Sequence, residues 1–338
     1  YQVIIYAGNE NGYGNYGSVV LTLANPGAIS VEGLNWAYRF SGADIQEMGY
    51  WNDWYVGIGY WNGGYVVRTQ NGIDWEKVKV AQGVSRLAVL GQSNGDWLIG
   101  AENGAIYRSS DAGATWDLVG DLHVDSGAFT GSSDSYEDVY LDYSNTSLVK
   151  SGGAWVLSNN QDIFRSIDNG SNWVEIPDVS EQGILDMAVG NGLVVAVGQN
   201  GEVLTSANDG QTWEDQDSGI DRTLRSVAFG NGVFVAVGDG GEVFTSTDGS
   251  TWESQASGTN YNINSITYGN GVFVRGDNGS VSADGLAWSP PESGYAYGWY
   301  DNATVYGSSG WLMASGSTIY QTVEGSVPSV SYTHLTLP

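Results

Sequence analysis

The chain is predicted to fold as an all-β propeller of four-stranded antiparallel blades. Three observations point there. A short phrase recurs: Ser/Thr, a spacer, Asp or Asn, Gly, a spacer, then Trp. Its closing tryptophans stand at 36, 75, 116, 173, 213, 252 and 288, in steps of 39, 41, 57, 40, 39 and 36 residues. Each step holds several short β-rich runs separated by Gly-rich turns. A period near forty marks a repeat architecture, and sheets this small bury their faces by stacking radially about an axis.

The repeat ending at Trp252 shows the unit most fully. Leu224-Arg225-Ser226-Val227-Ala228-Phe229 is a β-rich run, strand a. Gly230-Asn231-Gly232 follows, and Asn-Gly between apolar runs is a strong hairpin signal because both residues take φ > 0. Val233 to Val237, almost wholly apolar, is strand b and is expected to be buried on both faces. Asp239-Gly240-Gly241 turns the chain into strand c, Glu242 to Ser246, and the recurring phrase leads to strand d near Trp252. Other repeats align through Gly104, Gly201 and Gly279.

The two ends extend the pattern. Val3 to Tyr6, Ser18 to Leu23 and Gly27 to Ser30 read as strands a, b and c before Trp36. Thr304 to Tyr306, Trp311 to Ala314 and Ser317 to Tyr320 read the same way before a last, truncated phrase. Eight repeats in register predict eight blades within residues 1–329, with seven blades and one overhanging repeat as the alternative.

The phrase has a physical role as a turn staple. A Ser/Thr hydroxyl and an Asp carboxylate can accept from backbone N–H groups of their own turn, Gly takes the φ > 0 position, and Trp covers a large surface while its N–H seeks a partner. The staple residues are Asp111 with Trp116, Asp168 with Trp173, Asp209 with Trp213, Asp248 with Trp252, and Asp284 with Trp288. A set repeated in every unit argues for architecture over a single active site.

These phrases, with the preceding Gly-x-Val/Ile and the Gly-Asn-Gly hairpin, resemble the Asp-box or BNR repeats of sialidase-like propellers. The resemblance spans nearly the whole chain. It implies the fold without choosing an activity, because the family holds sialidases, xyloglucan hydrolases, sorting-receptor ectodomains, a photosystem assembly factor and secreted or phage proteins. A sialidase is disfavoured: the family's Phe/Tyr-Arg-Ile-Pro motif is absent, and Tyr38-Arg39-Phe40, the nearest approach, follows a box.

Composition narrows the partners. With 38 acidic and 11 basic residues the net charge is −27, which repels nucleic-acid backbones and anionic membranes. No apolar run is long enough for a membrane helix. There is no Cys, and His123 and His334 are the only histidines, so zinc and copper sites are not expected. Residues 330–338 resemble a translated sequencing-adapter read-through and are expected to lie outside the repeat fold, as in a metagenomic fragment.

Variation between repeats concentrates on the face of the b–c turns and d–a links, opposite the boxes, so the ligand is expected there. The long step before Trp173 places an insertion around Gly120 to Asn145, rich in carboxylates and including Tyr136, Glu137 and Asp138. Calcium on those carboxylates is the one cofactor considered. Tyr295, Tyr297 and Trp299 in a d–a link, and Tyr60-Trp61 in a b–c turn, suit sugar stacking. Arg86 and Arg225 are read as sharing one repeat position at the start of strand a.

The expected function is a non-catalytic glycan- or protein-binding or scaffold module of a secreted, cell-surface or virion protein. The alternative is a glycoside hydrolase acting on an extracellular polysaccharide through two carboxylates at the channel mouth. A purely structural repeat of a larger adhesin or tail protein is the third reading.

Overall fold

The computed structural model describes residues 2–6, 18–22, 29–31, 36–41, 45–59, 63–125, 136–142, 145–289, 302–315, 318–322 and 330–332. Strands before residue 45, the pair 123–125 and 136–138, and 330–332 are described by backbone alone.

Seven blades surround one axis, not eight. The first holds Glu47–Trp51, Trp54–Ile58, Tyr65–Thr69 and Glu76–Lys79 as strands a to d. The second holds Leu87–Ser93, Asp96–Ala101, Ala105–Ser109 and Asp117–Asp121. The third begins at Thr146–Ser151, the fourth at Ile184–Gly190 and the fifth at Leu224–Gly230, each completing four antiparallel strands. The sixth shows three, Ile266–Gly269, Val272–Arg275 and Val281–Ser282.

The seventh blade explains the miscount. Its strands a to c are Asn302–Gly307, Gly310–Ser315 and Thr318–Thr322, and its strand d is Trp36–Ser41 from the other end of the chain. The two terminal repeats that the period counts separately thus share one sheet. Pairing them completes the seventh blade at four strands and closes the ring between the two ends of the chain. Gln2–Tyr6 and Ser18–Thr22 form a separate hairpin outside the blades. Val330–Tyr332, within the segment expected to lie outside the repeats, pairs with Ile29–Val31, also outside the blades.

Strand b carries the core. Trp97, Trp155, Trp311, Tyr55, Phe234 and Phe273 occupy one repeat position and are fully buried. In the fifth blade Phe234 to Gly238 are all buried, as an apolar run on both faces requires.

The staple turns form as their chemistry dictates. Gly113 N–H donates to Ser109 Oγ at 2.9 Å, and Thr115 N–H donates to Asp111 Oδ1 at 2.9 Å. Asp168, Asp248 and Asp284 accept in the same way within their own turns. These bonds favour ionised carboxylates and hold Asp168 and Asp248 below the ordinary range; for Asp111 they prevail over the opposing effect of burial.

One expectation needs correction. In the fourth blade the turn acceptor is Asn208, to which Thr212 N–H donates at 2.9 Å. Asp209 stands in the left-handed region at φ 58° and reaches the third blade instead, accepting from Ser151 Oγ at 2.7 Å. Its position follows the capping residue by one, so its side chain points away from its own turn. Trp116 is buried, and Trp75, Trp173, Trp213, Trp252 and Trp288 are half-buried at the outer rim that strand d forms. Each ring N–H donates back to its box Gly carbonyl, except in Trp288 among the described residues.

Candidate functional site

The seven strands a run side by side around the axis, and their first residues open on the face of the d–a links and b–c turns. A cavity of about 400 Å³ occupies that mouth. Gln46, Thr146, Ser226, Asn264, Thr267 and Thr304 bring amides and hydroxyls to it from five blades. Glu47, Asp186 and Arg225 are its charged lining residues.

Glu47 and Asp186 share a repeat position that reasoning from the sequence missed. Tyr50, Lys150, Val189 and Phe229 pair with Tyr55, Trp155, Val194 and Phe234 at the strand-b core position. Three residues earlier lie Glu47, Ser147, Asp186 and Ser226. Each stitches its blade to the next. Leu90 N–H donates to Glu47 Oε2 at 2.6 Å, Met187 N–H to Ser147 Oγ at 3.2 Å, Val227 N–H to Asp186 Oδ2 at 3.0 Å, and Ile266 N–H to Ser226 Oγ at 3.2 Å. The available signal was a carboxylate at a position where other repeats carry serine.

The two carboxylates are not alike. Asp186 accepts four bonds. Ser147 Oγ and Met187 N–H donate to Oδ1 at 3.1 and 2.8 Å; Ser226 Oγ and Val227 N–H donate to Oδ2 at 2.7 and 3.0 Å. Glu47 accepts only from Leu90. Enclosure by protein pushes the Glu47 carboxyl up to about 8; the Leu90 bond opposes this and the negative charge of Asp186 adds to it. Burial raises Asp186 as well, against its four hydrogen bonds.

Arg225 is matched by Asp239 at the rim. It does not share a position with Arg86. Arg86 and Thr223 carbonyls receive the N–H groups of Glu102 and Asp239, which makes Arg86 and Thr223 equivalent. Arg225 sits two residues further on, at the bulge where strand a shifts register against strand b. Arg86 pairs with Glu102 at 3.3 Å. No arginine cluster forms at the mouth: Arg225 is its one arginine among the described residues.

The other sequence-predicted site residues are placed unevenly. Tyr60, Trp61, Tyr295, Tyr297 and Trp299 lie outside the described residues. Tyr136, Glu137 and Asp138 form a strand paired with His123–Asp125, an added hairpin in the d–a link between the second and third blades. The insertion thus stands on the expected face. Beyond it Tyr140 is 72% exposed, and Tyr261, in the link before the sixth blade, is 71% exposed. Tyr38-Arg39-Phe40 belongs to the outermost strand of the seventh blade, away from the axis. Among the described residues no group of three or more His, Cys, Asp or Glu side chains could hold a metal ion, and no helix is long and apolar enough to cross a membrane.

The architecture defines the class: a seven-bladed β-propeller with an open, polar channel mouth. No family model matches the chain, and no curated protein matches it. Solved propellers do. A structure of YCF48 bound to D1 peptide is 16% identical, with a TM-score of 0.61 over 87% of this chain and 99% of that one. Virginiamycin B lyase from Staphylococcus aureus is 10% identical, with a TM-score of 0.66 over 88% of this chain and 100% of that one. The WD40 propeller domain of Doa1 is 12% identical, with a TM-score of 0.62 over 88% and 98%. At these identities the likeness concerns the fold alone.

Proposed function

We propose that this propeller is a non-catalytic binding or scaffold module of the Asp-box kind, which holds a polypeptide or glycan segment at the mouth of its axial channel. The observation that carries this reading is the cavity of about 400 Å³ lined by amide and hydroxyl groups from five blades. Polar groups spaced around one ring can engage a single ligand from several sides, as small convergent sites do. The self-bonded staple turns support the Asp-box kinship. A peptide is favoured by the amides and hydroxyls of the lining, a chemistry that matches main-chain donors and acceptors, and by analogy with the YCF48 complex with D1 peptide. A glycan would draw on the aromatic link with Tyr295, Tyr297 and Trp299, in a secreted, cell-surface or virion setting.

Peptide and glycan arrays probed with wild type, Asn264→Ala, Gln46→Ala and Trp299→Ala test this. A mouth ligand should be lost from the first two variants, and a link-bound glycan from the third. A ligand retained by all three would place binding elsewhere.

One observation favours the hydrolase alternative. A carboxyl held protonated near neutral pH, as at Glu47, is what a general acid needs. The second carboxylate of the mouth, Asp186, is engaged by four hydrogen bonds, which ties it to blade stitching. A polysaccharide hydrolysis screen in which activity appears and Glu47→Gln removes it would establish the enzyme.

A further inference from the structure

We propose that the channel mouth takes a primary ammonium group, the lysine side chain of a basic polypeptide segment, with Glu47 as its counter-charge. This rests on the mouth being the binding site and names the chemistry of what enters.

The argument begins with charge. The molecule carries −27, and its described cations are largely committed within the protein. Arg68, Arg86, Arg108, Arg222, Arg225 and Arg275 each lie against a carboxylate of their own blade. Lys79 is bonded to the carbonyls of Gly63 and Val84, and Arg165 to the carbonyl of Asp209. The uncompensated charge is therefore acidic, and its field draws cationic segments toward the surface.

Within the cavity the imbalance is sharper. Of the three charged lining residues, Arg225 is matched by Asp239, while Glu47 and Asp186 have no cation within ion-pair distance among the described residues. Asp186 has its oxygens filled by four donors. Glu47 uses Oε2 for Leu90 and has no partner on Oε1 among the described residues. An enclosed carboxyl is costly to ionise without a counter-charge. An arriving ammonium supplies it. Its three donors suit Glu47 Oε1 together with the neutral oxygens of the mouth, such as those of Asn264 and Thr304. Asp186 adds attraction across the cavity. In the d–a links before the third and sixth blades, the exposed rings of Tyr140 and Tyr261 offer faces for further cations of a basic segment.

The linkage gives a distinctive signature. An ammonium favours ionised Glu47, so binding releases a proton wherever free Glu47 is protonated. The titratable and charged groups facing the site are Glu47, Asp186 and Arg225, the last held by Asp239. Affinity should rise about fiftyfold from pH 6 to pH 8 and at most double above that, since the Glu47 carboxyl lies at about 8 before binding.

The test is calorimetric titration of the full chain with a terminally blocked pentapeptide carrying one central lysine between glycines, beside the same peptide with acetylated lysine. The lysine peptide should bind at least tenfold more tightly than the acetylated one. Titrations at pH 7 in two buffers of different ionisation heat should show close to one proton released. Glu47→Gln, which keeps an acceptor for Leu90, should weaken binding about tenfold and abolish the release while its melting temperature stays at or above that of wild type. Equal affinity for the two peptides, no proton release, or an unaffected Glu47→Gln variant would overturn the proposal. A ligand lost from Asn264→Ala but indifferent to Glu47→Gln and to lysine acetylation would leave the mouth as the site and remove only the ammonium. No ligand sensitive to either variant would remove both.

Discussion

The interfaces from the fourth blade round to the first are packed differently from those among the first three. At four successive junctions a glycine ends strand a and the next blade lays an aromatic ring against it. A Cβ on Gly190 would fall 2.1 Å from Phe229, on Gly230 2.1 Å from Tyr268, on Gly269 2.5 Å from Tyr306, and on Gly307 2.3 Å from Tyr50. Each ring also tilts against its strand-b neighbour, with centroids 4.6 Å apart for Phe229–Phe234 and 5.3 Å for Tyr306–Trp311. Between the first and third blades the glycine is moved two residues earlier. Gly49 and Gly91 make room for the indoles of Trp97 and Trp155, with a Cβ falling 2.7 and 2.8 Å from each ring. The position facing strand b is then polar, Gln92 and Lys150, and Lys150 Nζ lies 5.0 Å from the Trp155 ring centroid. The third-to-fourth junction is polar at its outer end, closed by Ser151 and Asp209. One repeat therefore accommodates two wedge geometries. At these six interfaces one small and one large residue meet in register, which keeps packing density while the blades splay from the axis.

The largest effect expected from this comparison is at the indole type of junction. Trp155→Ala removes a fully buried ring and should cost about 3–5 kcal/mol by urea unfolding. Trp213→Ala, at a half-exposed box position, should cost roughly half as much. An equal or larger loss at Trp213 would mean that the boxes and not strand b hold the blades together.

At the other type of junction, Gly230→Ala forces a methyl into the Tyr268 ring and should cost about 3 kcal/mol. Adding Tyr268→Ala should recover part of that loss, because the obstructing ring is gone. Simple additivity of the two substitutions would show that Gly230 serves only the turn.

A pH-dependent effect concerns the stitch between the first two blades. The folded-state carboxyl of Glu47 lies above its ordinary value of 4.5, at about 8, so the folded protein holds a proton that the unfolded chain gives up. The Glu47 contribution is fully present below pH 4.5 and is lost as pH rises to about 8. Glu47→Gln should flatten that slope and raise the melting temperature above pH 8. The same slope in both proteins would assign it to another group.

Much of the fold is legible in particular residues. The Gly-Asn-Gly hairpins, the all-apolar run at Val233 to Val237 and the Ser-x-Asp-x-Gly turns fall where local chemistry puts them, since hairpins and caps depend on neighbours within a few residues. Blade number was not legible, because the pairing of Trp36–Ser41 with Thr318–Thr322 joins segments far apart in the chain. Nor was the second use of Gly-Asn-Gly: its first glycine serves the neighbouring blade, a contact that exists only once the ring is closed. The candidate site was found in part. Its face followed from where repeats vary, whereas Glu47 and Asp186 passed for ordinary strand residues.

The sequence by itself determined the repeat, the strand order within a unit, the staple turns and the acidic balance, all of which rest on period, composition and short-range bonding. The tertiary structure alone decided that the chain closes at seven blades, that Asp209 binds across an interface, and that two carboxylates about 140 residues apart in the chain meet one cavity. Such contacts depend on the geometry of ring closure, which brings equivalent positions of different repeats together around an axis and is written in no single stretch of residues.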